Sequence, residues 1–185
     1  MRKLVVTEFV TVDGVAEDPG GSEGTSFGGW GFKFNRGDEG DKFKYDELMA
    51  SDALLLGRIT YEGFASAWPS RSGDEFSDKF NSMTKYVVSS SLHDPEWNNS
   101  HVISFDDIAG LKDEDGGDIA VHGSLSLARA LTAAGLVDGF RLMVFPTIAG
   151  DGKRLFDGAS VPALRLEECR AVGNEGVYVA TYTPA

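Results

Sequence analysis

The stretch ALLLGRITYE, residues 53–62, constrains the fold most, because an unbroken apolar run gives way to a glycine, a cation and a helical pattern within four positions. Ala53 to Leu56 shows no polar alternation, which suits a strand buried on both faces of a parallel sheet. Gly57 lets the backbone turn tightly or lets a ligand approach it. Thr60 is able to cap the next helix, in which Tyr61, Phe64, Ala65 and Trp68 recur at i, i+3, i+4 and i+7 until Pro69 stops the pattern. Arg58 therefore stands beside a helix N-terminus, whose free N–H groups and dipole already favour an anion. Ten residues of this kind fit a phosphate-binding corner, and equally an ordinary strand–helix connection with a solvated arginine.

The same hand-over recurs in DIAVHGSLSLARALTAAG, where a strand over 119–122 meets Gly123 and Ser124 caps a helix. Leu127, Ala128, Leu131 and Ala134 make its inner face, and Gly135 ends it. KLVVTEFV (3–10) is a first strand, Tyr86 to Val88 another that closes in Ser89, Ser90 and Ser91, and 101–104 a minor one. Helices are expected over 41–50, with Phe43, Tyr45, Leu48 and Met49 as the apolar side, around Phe76, Phe80 and Met83, and over 106–111. From Phe140 onward only strands follow, and LRLEEC (164–169) and VYVATY (177–182) flank a turn at 173–176 as an antiparallel hairpin. The expected fold is one α/β domain over 1–185, with a mostly parallel mixed sheet flanked by helices and the hairpin at its C-terminal end.

Residues 14–40 break the pattern: a glycine-rich loop carries Phe27, Trp30, Phe32 and Phe34. Loops of this length are usually functional, and a lid that sets Trp30 or Phe32 against a pocket is one reading; a flexible insertion with locally packed aromatics is the other. The formal net charge of −12 argues against nucleic-acid or anionic-membrane partners. Cys169 is the single cysteine, which rules out an internal disulfide and points to a reducing, cytoplasmic setting. The N-terminal segment reads as a strand rather than a signal peptide, and no apolar stretch reaches the ~20 residues of a bilayer span. His93, His101 and His122 lack metal-ligand spacing, so no metal is expected. GDGKR (150–154) lacks the first glycine and the Ser/Thr of a P-loop, and leaves Lys153 and Arg154 as contacts for an anionic substrate or as an exposed basic turn.

Ligands of open α/β sheets bind beyond the carboxyl ends of the strands. Three such ends stand out: Gly57–Arg58–Ile59–Thr60, Ser89–Ser90–Ser91 and His122–Gly123–Ser124. LLLGRITYE, VVSSS, AVHGS and PTIAGDGKRLF resemble the motifs of the dihydrofolate reductase-like superfamily, in particular small bacterial proteins similar to the reductase domain of riboflavin biosynthesis, over nearly the whole chain. The resemblance implies an eight-stranded sheet, NADPH as hydride donor, and often a homodimer. It implies that Gly57, Arg58 and Thr60 contact cofactor phosphates, with Arg58, Ser89 and Ser90 at the 2′-phosphate. His122, Gly123 and Ser124 would line the pyrophosphate and nicotinamide side.

This chain departs from the family in having one glycine where dihydrofolate reductases have two at the 122–123 turn. A strained or cis peptide is expected there. Asp41 falls where those enzymes carry a substrate carboxylate, but an acidic first helical turn explains it too. Asp13 is the second catalytic candidate, with a turn-forming aspartate as its alternative. A zinc deaminase activity is excluded by the cysteine count. The expected function is an NADPH-dependent reductase of a small heterocyclic or carbonyl-type substrate. The alternatives are the riboflavin-pathway 5-amino-6-(5-phosphoribosylamino)uracil reductase and a non-catalytic nucleotide-binding protein.

Overall fold

The apolar run near the N-terminus forms β1 (Leu4–Thr11), which lies inside the sheet between β5 (Asp118–His122) and β6 (Gly139–Phe145), parallel to both, in a computed structural model that describes residues 1–157 and 163–185. Among the described residues the sheet has eight strands in the order β4-β3-β2-β5-β1-β6-β8-β7. β2 (Ser51–Gly57), β3 (Thr84–Val88) and β4 (Ser100–Ile103) continue the parallel part. β7 (Leu164–Val172) and β8 (Val177–Pro184) form the antiparallel hairpin, with β8 paired to β6.

Side-chain alternation along the parallel strands divides the core between two faces. Leu4, Val6 and Val10 of β1, Leu55 of β2 and Ile119 and Val121 of β5 share one face with α4 (Ile108–Asp113) and α5 (Leu125–Ala133), through Ile108, Leu127, Ala128 and Leu131. Leu54, Leu56 and Ala120 share the other with α1 (Gly37–Met49), α2 (Arg58–Ala67) and α3 (Glu75–Ser82), through Leu48, Tyr61 and Phe80. The helices after β1 and β5 thus cover opposite faces. This leaves a crevice beyond the carboxyl ends of the two neighbouring strands, the place where such sheets accept ligands.

Two expectations change. The inward stripe of α1 is Gly40, Lys44, Glu47 and Leu48, not Phe43, Tyr45, Leu48 and Met49, so two charges face the sheet. The aromatic loop is core, not lid. Trp30 is 2% exposed and packs edge-on against Phe145, its indole N–H donating to the Glu17 carbonyl at 3.1 Å. It belongs to a third cluster with Met143, Val177 and Val179 under the C-terminal hairpin. Buried Asp18 holds the loop from within, accepting from the Glu23 and Thr25 N–H groups and the Thr25 hydroxyl. Phe32 remains 80% exposed.

Candidate functional site

The site grows out of the last paired row of β1 and β5, where Thr7 lies opposite His122. One residue further, β5 leaves the sheet at Gly123, whose φ is +57°. A Cβ on Gly123 would sit 3.1 Å from Thr60 Cγ2, so the turn favours glycine on conformation and leaves little room for a side chain. Ser124 follows at φ +56°, an uncommon region for a residue with a side chain. The strained or cis peptide expected at this turn is not found: the described residues contain no cis peptide bond, and the chain turns instead through left-handed φ angles at Gly123 and Ser124.

Neither hydroxyl caps its own helix. α2 starts at Arg58, with Gly57 as the N-cap residue, which puts Thr60 inside the first turn rather than before it. Thr60 Oγ1 accepts the Ser124 N–H at 2.9 Å, and Ser124 Oγ accepts the Gly57 N–H at 2.9 Å. The expected caps are instead cross-links between two strand ends, and they draw the N-termini of α2 and α5 together at the crevice. Two helix N-termini present a converging set of N–H groups and partial positive charge. Arg58 extends from the first turn of α2, about half exposed, and pairs with Glu62 one turn on at 3.0 Å. Ser89 folds back locally, its hydroxyl accepting from the Ser91 and Leu92 N–H groups, while Ser90 is exposed beside it.

The floor of the crevice carries polar groups on both sides of the sheet. On the α1 side, Lys44 Nζ donates to Thr7 Oγ1 at 2.6 Å and pairs with Glu47 at 2.5 Å, all three residues being buried. His122 lies on this side too, edge-on to Phe80; burial, with Lys44 adding to it, pushes its pKa down to about 3, so the imidazole is neutral. On the α5 side stands Glu8, 5% exposed. Its Oε1 is fully buried without a partner, a condition shared among the described residues only by Ser100 Oγ. Burial holds its carboxyl well above the usual range, against smaller opposing pulls from Lys44 and the Gly123 N–H. Glu8, Lys44 and Glu47 were invisible to motif reasoning. One signal was present: a charged residue in the 4, 6, 8, 10 series of an otherwise apolar strand face.

The remaining candidates lie elsewhere. Asp13 Oδ1 accepts from the Thr11 hydroxyl at 2.6 Å and its carboxylate from the Ala149 and Gly150 N–H groups, bonds that hold its pKa at about 2. It closes a turn, as its alternative reading had it, and has no proton to give at neutral pH. Asp41, its side chain 67% exposed and paired with Arg36 at 2.6 Å, lines the outer part of the groove between α1 and α3. Lys153 pairs with Glu17, and Arg154 Nε donates to the Asp13 carbonyl, so both cations fasten the loop after β6 to the loop after β1. Trp30, sealed in the core, offers no face to a ligand. A groove of about 500 Å³ between α1 and α3 is lined by Arg36, Lys44, Tyr45, Trp68, Arg71 and Phe76, among others, and reaches the buried cluster through Lys44.

The chain belongs to the RibD C-terminal domain family, whose model matches residues 2–178. It is 28% identical over 163 residues to the uncharacterized protein YyaP of Bacillus subtilis (strain 168), covering 84% of this chain and 80% of that protein. Its fold matches the crystal structure of a candidate riboflavin biosynthesis protein from Shewanella sp. PV-4 with a TM-score of 0.77, at 17% identity and 99% coverage of both chains. A dihydrofolate reductase from Enterococcus faecalis, complexed with NADP(H) and RAB-propyl, matches with a TM-score of 0.63 at 16% identity, covering 98% of this chain and 96% of that one. The dihydrofolate reductase-like fold read from the motifs is the fold observed.

Proposed function

We propose that the protein is an NADPH-dependent reductase that reduces a small heterocyclic or carbonyl-type substrate. The observation that carries this reading is the pair of helix N-termini joined at the crevice, with Arg58 in the first turn of one of them. The residues fit a dinucleotide: the N–H groups of α2 and α5 suit a pyrophosphate, and a half-exposed guanidinium suits a 2′-phosphate through charge-assisted, bidentate bonds. Family membership and the NADP(H) complex of the structurally similar dihydrofolate reductase support the same choice. When bound, the nicotinamide supplies the hydride; this chain binds, orients and excludes water. His122 acts there as a neutral wall beside Phe80. The groove between α1 and α3 opens on the α1 face and is lined by aromatic rings, by cations and by the carboxylates of Asp41 and Asp74.

The riboflavin-pathway variant of this reading called on Lys153 and Arg154 for a ribose phosphate. Both are paired with the loop after β1 while staying about half exposed, as Arg58 is beside Glu62.

Titration with NADPH and NADH, each at low and high salt, tests the proposal. Losing hydrogen bonds to a charged group costs roughly 1.5–3 kcal/mol, so Arg58→Ala weakens NADPH by about one to two powers of ten and leaves NADH nearly unchanged. The NADPH preference of the wild type shrinks as salt rises, because the contact is partly exposed. Failure of the wild type to bind either dinucleotide overturns the proposal. Equal losses for both cofactors move Arg58 away from the 2′-phosphate.

A further inference from the structure

We infer that Glu8 is the proton donor of the reduction, poised where β5 leaves the sheet. The inference rests on the reductase reading and adds a residue to it. Position comes first: Glu8 lies one residue beyond the Thr7–His122 pair, on the α5 face, with Leu142 of β6 as its register partner on one side. On the other side β5 has already turned away at Gly123, which has no side chain to fill the gap. The flank of Glu8 that a continuing β5 strand would have covered is therefore bounded by the Gly123 turn, next to the N-terminus of α5.

The second observation is the unpartnered Oε1. A buried ionised oxygen without a donor is costly, whereas a protonated carboxyl is tolerated and has a hydrogen to give. The charges around it are arranged for use in both states. Lys44, on the opposite face of the sheet and held by Glu47 and Thr7, acts on it through its charge; from the loop after β1, Glu23 opposes its ionisation; from the β5 turn comes the Gly123 N–H. Burial and Glu23 favour the acid, while Lys44 and the Gly123 N–H soften the cost of the carboxylate left after donation.

The balance is simple. A C=N or C=O carbon of the substrate gains a hydride from the reduced nicotinamide, which becomes the cationic ring. The π pair closes onto nitrogen or oxygen, and that atom takes the proton as the Glu8 O–H bond breaks. Water returns a proton to the carboxylate before the next turnover. Asp13 is ionised within its turn, and Asp41 is exposed and paired with Arg36, so neither combines burial with a free carboxyl oxygen.

The test uses the whole chain with its glutamate side-chain carboxyls labelled with ¹³C, titrated by NMR with NADPH or NADP⁺ bound. The Glu8 signal is assigned by its loss in Glu8→Gln, or by its loss in Glu8→Asp if the first variant does not fold. We expect a protonated carboxyl at pH 7, with a midpoint about one pH unit lower under NADP⁺ than under NADPH, because only the oxidised ring is cationic. A Glu8 already ionised at pH 7, or a midpoint indifferent to the redox state of a bound dinucleotide, overturns the inference and leaves the reductase reading standing. Absence of binding by either dinucleotide overturns that reading, and the inference with it.

Discussion

The aromatic loop after β1 and the last row of β1 itself invert what their compositions suggest. The loop has the glycines and rings of a mobile lid, yet Trp30 is a core residue and Asp18 ties the chain around it. The strand has the composition of plain core, yet it carries Thr7 and Glu8 into a buried polar site. Rings in a loop can satisfy themselves by packing, and here they do so against Phe145. A carboxyl inside a strand cannot, because burial without a partner costs more than any contact nearby returns. The lone charge in an apolar series marks a buried polar site, and the cluster of rings in a flexible-looking segment marks core.

Substitutions on the two sides of that contrast should separate stability from activity. The largest loss is expected at Trp30: Trp30→Ala removes a fully buried ring and costs about 3–5 kcal/mol of unfolding free energy in denaturant titration, with dinucleotide affinity unchanged in the folded fraction. A retained melting midpoint with weakened cofactor binding would return the loop to the role of a lid. Lys44→Met strands the buried Glu47 and costs about 3 kcal/mol or somewhat more. Adding Glu47→Leu restores stability to within about 1 kcal/mol of wild type, yet leaves reductase activity depressed. Recovery of both would make the ion pair a structural ornament.

The acid limb is set by a smaller term. Asp13 has a folded pKa of about 2 against an ordinary 3.8, so its contribution of about 2 kcal/mol is complete above the unfolded value and disappears as pH falls through the folded one. Unfolding free energy measured from pH 5 to 2 should drop less in Asp13→Asn than in wild type. The smallest effect belongs to Phe32: Phe32→Ser changes stability by no more than about 0.5 kcal/mol, since the ring is in solvent. A change in substrate affinity at that position, with stability constant, would restore a contact role to the tip of the loop.

The buried parallel strands and the inner face of α2 could be read because the runs 53–56 and 119–122 have no competing periodicity, and because Tyr61, Phe64, Ala65 and Trp68 keep helical spacing. The two turns were legible as corners through Gly57 and Gly123. Their internal wiring was not: a serine before a helix predicts a cap, and only the approach of two distant turns makes Ser124 and Thr60 better partners for each other's neighbourhood than for their own helices. The inner face of α1 was misread for a related reason. Gly40, Lys44, Glu47 and Leu48 have the spacing of a buried stripe, but charges at two of the four positions look like a solvated side until Thr7 is seen beneath them.

The reciprocal hydroxyl contacts at the corner also bear on how an anion would be held there. The Gly57 and Ser124 N–H groups each end on a side-chain oxygen, so a phosphate settling there exchanges partners and adds no bonds to the tally. The driving force is then the difference between an anionic acceptor and a neutral one, since charge-assisted bonds are roughly twice as strong. Two side-chain rotations release the donors, and the backbone already has the shape it will keep. Anion binding at such a corner would weaken as ionic strength rises, and the Thr60 and Ser124 hydroxyls would take their N–H partners back once the anion left.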